Sequence, residues 1–552
     1  MKRAFCELPV RFSEASCWSG LQRATARGGF VLLVVTVVIL LLSLASYSYM
    51  SRMDTENRAA AMYGRDVEAR MAAESAVEYV ATMVSSLDTY GPQEIYHSPS
   101  LFSRRLMEPG ENPRGQLRFS VVSPDSGGGL PRAGLTTETA KFNLNRLLEM
   151  ENDVDEISDP WTAVSMVPNM TEDICNAILD WIDSDEDVRL GGAESATYEG
   201  LLVPYAARNA PMLTIEELLQ IQGVTPALFY GEDANRNGRL DPNEDDGADS
   251  LPLDNGDGIL DLGFRDYFTV SSRERNTLVS GDPRLNINNG IIAEMFDLLE
   301  ESFDTDTAIF VTAYRLNGDL NADAEAQGML TIEQQQLVDW IAKNIANGEL
   351  GEVTRAGIDL SSPPQASFRS LYDLIDAKVE VEIEGSLQTF DSPWRSDDPA
   401  GLLEQMLVLE ENLTWINDDY FDGRININMA SFDVLMGIPE MTESLANEII
   451  ASRPAVEDST TTSAMMANRV SPIWLLTEGY VDVSTFKRLG PWITTRGDLY
   501  SFQVLGHFDE GGPTTRLEAM IDATARPPQI FLLRDLSPLG RGYEDSLLEG
   551  SQ

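Results

Sequence analysis

Between Asp233 and Glu244 the chain reads Asp-Ala-Asn-Arg-Asn-Gly-Arg-Leu-Asp-Pro-Asn-Glu, a run of oxygen-bearing side chains at intervals that suit a hard cation. Asp233, Asn235 and Asn237 take positions 1, 3 and 5 of an EF-hand-type loop, and Gly238 permits the sharp turn at 6. Arg239 offers its carbonyl at 7, Leu240 is the apolar residue at 8, Asp241 stands at 9, and Glu244 is the bidentate carboxylate at 12. Calcium takes six to eight hard oxygens, and this spacing delivers them. A second acidic loop contains Asp254, Asn255, Asp257 and Asp261, with Gly258 at the turn. Its register puts Leu253 at position 1 and Phe264 at position 12, so it is degenerate alone and is expected to lend ligands to an ion shared with its neighbour. A third run, Asp319, Asn321, Asp323 and Glu325, keeps the 1-3-5 spacing but has Ala324 where glycine belongs. Cys175, within Ile-Cys-Asn-Ala-Ile-Leu, reads as a buried core residue.

Catalytic chemistry has little to work with elsewhere. His97 and His507 are the only histidines, and neither stands near a cysteine or a carboxylate cluster in sequence, so a His-rich zinc site is excluded. Cys6, Cys17 and Cys175 have no CxxC spacing, which removes a disulfide framework and a thioredoxin-type motif. The chain is not expected to be an enzyme. Acidic residues number 89 against 40 basic ones, a formal net charge of −49. Nucleic-acid affinity rests on phosphate neutralisation by Lys and Arg, so no nucleic-acid partner is expected. With 43% apolar and 23% charged residues the composition is globular, and 552 residues suggest three or four domains at about 150 residues each.

The elements that must carry these loops begin with Phe30–Met50, an uncharged run long enough to cross about 30 Å of hydrocarbon as a helix. Ahead of it Lys2, Arg3, Arg11, Arg23 and Arg27 outweigh Glu7 and Glu14, which places the N-terminus in the cytoplasm and everything after Met50 on the other side. The apolar run passes without a breaker into an amphipathic stretch with helical period: Ala59, Met62, Val67, Met71, Val77, Val80 and Met83 alternate with Arg58, Arg65, Glu68, Arg70 and Glu74. One helix over about 30 to 87 is expected. Arg27-Gly28-Gly29-Phe30 resembles the processing site of type IV pilin-like proteins. That resemblance implies cleavage between Gly29 and Phe30 by a prepilin peptidase, with methylation of the new N-terminus. The family usually has Glu at the fifth mature position, where it meets a neighbour's terminal ammonium inside the membrane; here the residue is Val34, which suits an end position rather than a repeating shaft.

Further along, Gly115–Ser123 alternates like a strand, and Asp498–Ile521 reads as a hairpin of two strands around Gly511-Gly512-Pro513. Phe142-Asn143-Leu144-Asn145, Leu285-Asn286-Ile287-Asn288 and Ile425-Asn426-Ile427-Asn428 are three copies of one local device, whose asparagines are expected to cap the following helix or bond the turn into it. The stretch 167–219 closely resembles the helical domain of general secretion pathway protein K, through Ala177-Ile178-Leu179-Asp180-Trp181, Gly192-Ala193-Glu194, Tyr198, Pro204-Tyr205, Asn209 and Pro211. The related protein binds calcium in this domain, which makes Asp183, Asp185 and Asp187 further metal candidates; the alternative is a solvated helix end. Residues 427–454, like 143–183, resemble a helix–hairpin–helix unit. Each lacks the second glycine of a phosphate-holding hairpin, so a packing or protein-contact role is expected.

The fold class implied is α+β: a long N-terminal transmembrane pilin-like helix, and pilin-like strands interrupted by all-α modules of SAM-like or helix–hairpin–helix-like type. The expected organisation is a leader (1–29), transmembrane and amphipathic stalk helix (30–90), pilin-like strand region (91–145), helical K-type domain with calcium loops (146–265), second strand plus helical module (266–425), helix–hairpin–helix-like module (426–485), and C-terminal strand hairpin with tail (486–552). The resemblance implies a minor pseudopilin that caps and helps initiate the pseudopilus of a type II secretion system, single-pass in the inner membrane, with its C-terminal part periplasmic. Implied partners are other minor pseudopilins, the major pseudopilin, the prepilin peptidase, and membrane lipid along Phe30–Met50. Calcium outside the cytoplasm would keep the loop filled, so its role is expected to be structural. The alternatives are a membrane-anchored type IV pilus-like, DNA-uptake or adhesion protein built on the hairpin modules, and a membrane-bound hydrolase, for which the sequence offers no constellation.

Overall fold

The computed structural model describes residues 28–86, 95–108, 115–124, 131–151, 159–247, 249, 252, 254–321, 340, 343, 353–453, 469–509 and 511–544. The basic flank 1–27, with Cys6 and Cys17, lies outside them, as do Asp323 and Glu325. The chain divides into two compact units, Met1–Arg65 and Asp66–Gln552.

Helix α1 runs unbroken over Gly28–Val84, as the lack of proline and the continuous period require. Its stretch from Phe30 is long and apolar enough to cross a membrane. In the first unit it is exposed from Phe30 to Gly64, and beyond the apolar run it carries Arg52–Glu56 and Asp54–Arg58 pairs four residues apart at 3.0 and 2.9 Å.

The second unit is organised by an antiparallel sheet in which neighbours in space are also neighbours in sequence. Strands β1 (Arg105–Glu108), β2 (Leu117–Val122), β3 (Leu499–Phe508), β4 (Thr515–Asp522) and β5 (Gln529–Asp535) follow in that order, with Thr136–Thr137 pairing beside β3. The expected hairpin is β3–β4; β5 adds a strand that the sequence reading did not contain. The last turns of α1 pack on one face of the sheet through small residues, Ala69, Ala72, Ala73, Ala76, Val77 and Val80, against Val121, Phe502, Val504 and Ala519. Gly506 permits this approach, because a Cβ there would stand 1.9 Å from the Ala69 carbonyl oxygen.

Apart from Thr136–Thr137, which stays in the sheet, the chain between Val122 and Leu499 is inserted between adjacent strands. The insertion is three modules closed by one repeated device. They are not all-α as expected, because the second adds to its helices a four-stranded antiparallel sheet of Thr354–Arg355, Ile358–Asp359, Lys378–Ile383 and Ser386–Asp391. Phe142-Asn143 pairs in parallel with Phe268-Thr269, Leu285-Asn286 with Leu413-Thr414, and Ile425-Asn426 with Ile493-Thr494. In each tetrad the first asparagine accepts the N–H of the second: Asn143 from Asn145 (3.1 Å), Asn286 from Asn288 (2.7 Å), Asn426 from Asn428 (3.0 Å). That is the expected turn bond. The second asparagine does something else: it ties the entry of its module to distant backbone. Asn145 donates to the Val270 and Met212 carbonyls, Asn288 to Phe368 and Trp415, and Asn428 to Arg469. The third module therefore closes at Thr494, so boundaries at 425/426 and 485/486 would each divide it.

Within the modules, α2 (Glu172–Ile182), α3 (Thr305–Asn317) and α4 (Glu443–Ala451) each follow a helix and a tight turn. Thr171, Asp304 and Thr442 accept the N–H three residues on, as N-caps do. Asn169 and Glu440 hold positive φ at the hairpin tips (62° and 67°), where phosphate-binding hairpins use glycine. Buried apolar side chains from Phe142 to Ile493 form one continuous cluster, separate from the cluster between α1 and the sheet.

Candidate metal centre

The 233–244 loop lies between the first module and the sheet. Asp233 and Glu244 are buried, at 7% and 1% exposed. Asp233 accepts the N–H groups of Asn237 (3.0 Å) and Gly238 (2.8 Å), and Glu244 accepts those of Ala234 (3.0 Å) and Asp241 (3.0 Å). The amides of Asn235 and Asn237 both donate to Asp241 Oδ2 (2.5 and 2.9 Å), which gathers positions 3, 5 and 9 around one point. Gly238 takes φ +70° at position 6, as the pattern demands. Burial pushes the Asp233 carboxyl up, against the N–H groups that favour its charged form. Burial, reinforced by Asp233 and Asp241, raises Glu244 to about 7. Asn235 Oδ1 is buried with no hydrogen-bond donor. A hard cation satisfies both conditions, because it supplies the positive charge and takes up the unpaired oxygen.

The second loop repeats the first with an offset of 20. Ile259 N–H bonds Asp257 Oδ1 (2.8 Å) as Arg239 N–H bonds Asn237 Oδ1 (2.7 Å), and Asn255 donates to Asp261 Oδ2 (3.0 Å) as Asn235 does to Asp241. Where Leu253 and Phe264 break the pattern, two acidic residues flanking the first loop stand in. Gly258 N–H bonds Asp245 Oδ1 (3.0 Å), the part Asp233 plays for Gly238. Asp261 N–H bonds Glu232 Oε2 (3.0 Å), the part Glu244 plays for Asp241. Asp254 instead bonds the N–H groups of Gly247 (2.7 Å) and Gly256 (2.8 Å). Glu232 and Asp245 escaped the sequence reading; their signal was position, directly before Asp233 and directly after Glu244.

A third acidic group is built from α2. Asp180, Asp183 and Glu194 bring carboxylate oxygens within 4.8 Å of one another, and all three are buried. Of the three aspartates singled out after Trp181, only Asp183 joins it; Asp185 and Asp187 are exposed, Asp185 accepting the Asp187 N–H (2.8 Å). Asp180 and Glu194 take their places, one three residues back along the helix and the other in the Gly-Ala-Glu segment. Arg189 serves part of the cluster, donating to Asp180 (2.7 Å) and to Asp183, and its other end meets Glu151 (2.8 Å). Burial lowers the Arg189 pKa, but these hydrogen bonds outweigh it and hold the guanidinium above its ordinary value. Glu194 is 1% exposed, and both its oxygens lack a hydrogen-bond donor. Burial, with Asp183 and Asp180 adding repulsion, raises it to about 7. One guanidinium does not satisfy three buried carboxylates, and a divalent cation would.

Asp319 has other work: its Oδ1 accepts the N–H groups of Asn321 and Lys378 (both 2.9 Å), and its Oδ2 faces Lys487 at 3.5 Å. Cys175 is buried and its thiol is pushed up to about 12 by burial, so it is inert. Gly29 and Phe30 lie in the first turn of α1, with Phe30 exposed.

Comparison with known proteins places the first module. The family model described as type II secretion system (T2SS), protein K matches residues 140–230. A type II secretion system protein K from Pectobacterium carotovorum subsp. carotovorum is 29% identical over 123 residues, 20% of this chain and 36% of the relative. One from Aeromonas hydrophila is 44% identical over 57 residues, 10% of this chain and 17% of the relative. The chain thus spans well under half the length of either. A solved GspK–GspI–GspJ complex from the enterotoxigenic Escherichia coli type 2 secretion system aligns over 87% of this chain and 99% of its own, at 13% identity and a TM-score of 0.33, a value from which no common fold follows. Residues 140–230 are thus where the likeness to type II secretion system protein K lies.

Proposed function

We propose that this chain is a minor pseudopilin of a type II secretion system, placed at the tip of the pseudopilus and without enzymatic activity. The observation that carries the reading is topological: a protein K domain is inserted between adjacent strands β2 and β3 of a sheet backed by the end of α1, a helix whose beginning is apolar enough to anchor in a bilayer. The anchor is Phe30–Met50, the N-terminus faces the cytoplasm and the modules are exported. Val34 supports an end position, because a carboxylate there would have no neighbouring ammonium to meet, and an unpaired charge in hydrocarbon costs at least several kcal/mol. The inserted modules point the same way, since three of them on every subunit would crowd a repeating shaft. Partners are other minor pseudopilins, the major pseudopilin and the prepilin peptidase.

Calcium is the ion proposed for the 233–244 loop, for the second loop completed by Glu232 and Asp245, and for Asp180, Asp183 and Glu194. These are all-oxygen donor sets without nitrogen or sulfur, which suits calcium rather than zinc. The chain's own contribution is to gather ionised carboxylates in buried positions that would repel without a cation. The hairpin tips argue against nucleic acid, because Glu440 and Asn169 stand where a phosphate cradle would need glycine. Mass spectrometry of protein purified from membranes tests the reading: the mature N-terminus should be methylated Phe30. An intact Met1, or a start beyond Met50, would overturn it.

A further inference from the structure

The inner side of the 233–244 loop carries the candidate ligands; its backbone on the other side grips a buried arginine from the sheet. Arg516, on β4, is 0% exposed. It donates from Nη1 to the Asn235 carbonyl (2.8 Å), from Nη2 to the Arg236 carbonyl (2.6 Å), and from Nε to Gln503 Oε1 (2.8 Å). Arg236 reaches this arrangement with φ +61°, so its carbonyl orientation depends on the loop keeping its turn. Gln503, on β3, donates to the same Arg236 carbonyl (2.7 Å).

The chain end is bound into the same cluster. The Arg516 carbonyl accepts the Leu536 N–H (2.8 Å), and its guanidinium lies 5.2 Å from the Tyr543 ring centroid. The Tyr543 hydroxyl donates to Gln503 Oε1 (2.9 Å), and Asn237, position 5 of the loop, donates from its amide to the Gly542 carbonyl (2.9 Å). A side chain at 542 would be strained, because φ is +75° and a Cβ would stand 2.4 Å from Arg516 Nη1. A buried guanidinium whose acceptors are loop carbonyls is stable only while the loop holds its shape, because losing one partner of a buried charge is strongly destabilising.

We propose that Arg516 couples the 233–244 loop to the C-terminal segment Leu536–Tyr543, so that a divalent cation in the loop also fastens the protein K domain to the sheet and orders that segment. The inference rests on the calcium reading of this loop. Coupling of this kind is reciprocal: the clamp raises the affinity of the loop as much as the ion tightens the clamp.

The test uses the full chain in detergent, with calcium titration calorimetry and hydrogen exchange in calcium or in EGTA. In the unsubstituted protein calcium slows exchange over 233–244 and over 536–544 together. In Arg516→Gln it still slows the loop, with about tenfold weaker binding, and no longer slows 536–544. Gln503→Ala, a milder change that also decides the matter if Arg516→Gln fails to fold, shifts both readouts in the same direction by less. Calcium-dependent protection of 536–544 in either variant equal to the unsubstituted protein, or unchanged affinity, overturns the coupling. A loop that calcium does not protect in the unsubstituted protein overturns the calcium reading itself, and is seen before any variant is made.

Discussion

Glu194→Gln should change the stability of the first module in opposite directions with and without calcium. Glu194 is buried, without a hydrogen-bond donor, and beside Asp180 and Asp183. Raising its carboxyl from 4.5 to about 7 costs the ionised form about 3 kcal/mol at pH 8, since each pH unit is worth about 1.4 kcal/mol. Screening by nearby solvent reduces this to about 1–2 kcal/mol. The glutamine is isosteric, carries no charge and can donate to the neighbouring carboxylates, so in EGTA the variant should be more stable by about that amount. With calcium at a hundred times its dissociation constant the unsubstituted protein gains about 2.7 kcal/mol that the variant forfeits, and the order reverses. Hydrogen exchange over 172–198 in the full chain reads the local opening free energy in both buffers. Other calcium sites respond alike in the two proteins, so the difference isolates this cluster. If the unsubstituted protein is the more stable in both buffers by the same margin, the carboxylate is satisfied by Arg189 and the fold, and no ion belongs there.

Gly506→Ala should cost about 2–3 kcal/mol and lower the melting temperature of the sheet, because its Cβ would meet the Ala69 carbonyl oxygen at 1.9 Å. Asn288→Ala removes donors to the Phe368 and Trp415 carbonyls and the acceptor of the Phe368 N–H, so a loss of about 2–4 kcal/mol is expected, with faster proteolysis confined to 285–416. His97 is held below its ordinary 6.5 first by burial and then by Arg132, so the folded state favours the neutral ring. Its contribution is therefore intact above pH 6.5 and falls away as the pH drops below it; the stability difference between the unsubstituted protein and His97→Gln should shrink between pH 7 and 5, and a pH-independent difference would refute the assignment.

What the sequence disclosed and what it concealed divide along a physical line. Contacts between near neighbours were legible: the period of α1, the strands β2, β3 and β4, and the ligand spacing of 233–244 all follow from residues a few positions apart. The three asparagine tetrads were visible too, but only their local half. Asn143, Asn286 and Asn426 bond the turn as their type predicts, whereas Asn145, Asn288 and Asn428 reach carbonyls far along the chain, and nothing in the tetrad states where those carbonyls lie.

The candidate metal sites obey the same division. The second loop looked degenerate because Leu253 and Phe264 were judged as the ends of a self-contained motif. Folding supplies those ends from the neighbouring loop, since Glu232 and Asp245 precede and follow a loop whose own ends already stand close together. A paired loop can thus lose its terminal ligands in sequence without losing them in space. Of the three aspartates Asp183, Asp185 and Asp187, only Asp183 stands at the end of α2; Asp185 and Asp187 lie beyond it in an exposed segment, where Asp185 accepts the Asp187 N–H. The partners of Asp183 come from helical spacing, Asp180, and from a turn, Glu194, which returns the chain to the end of α2. Oxygen spacing along a sequence points to a candidate metal loop when the loop is closed on itself; where two segments share the work, what must be sought is a buried acid left without a donor.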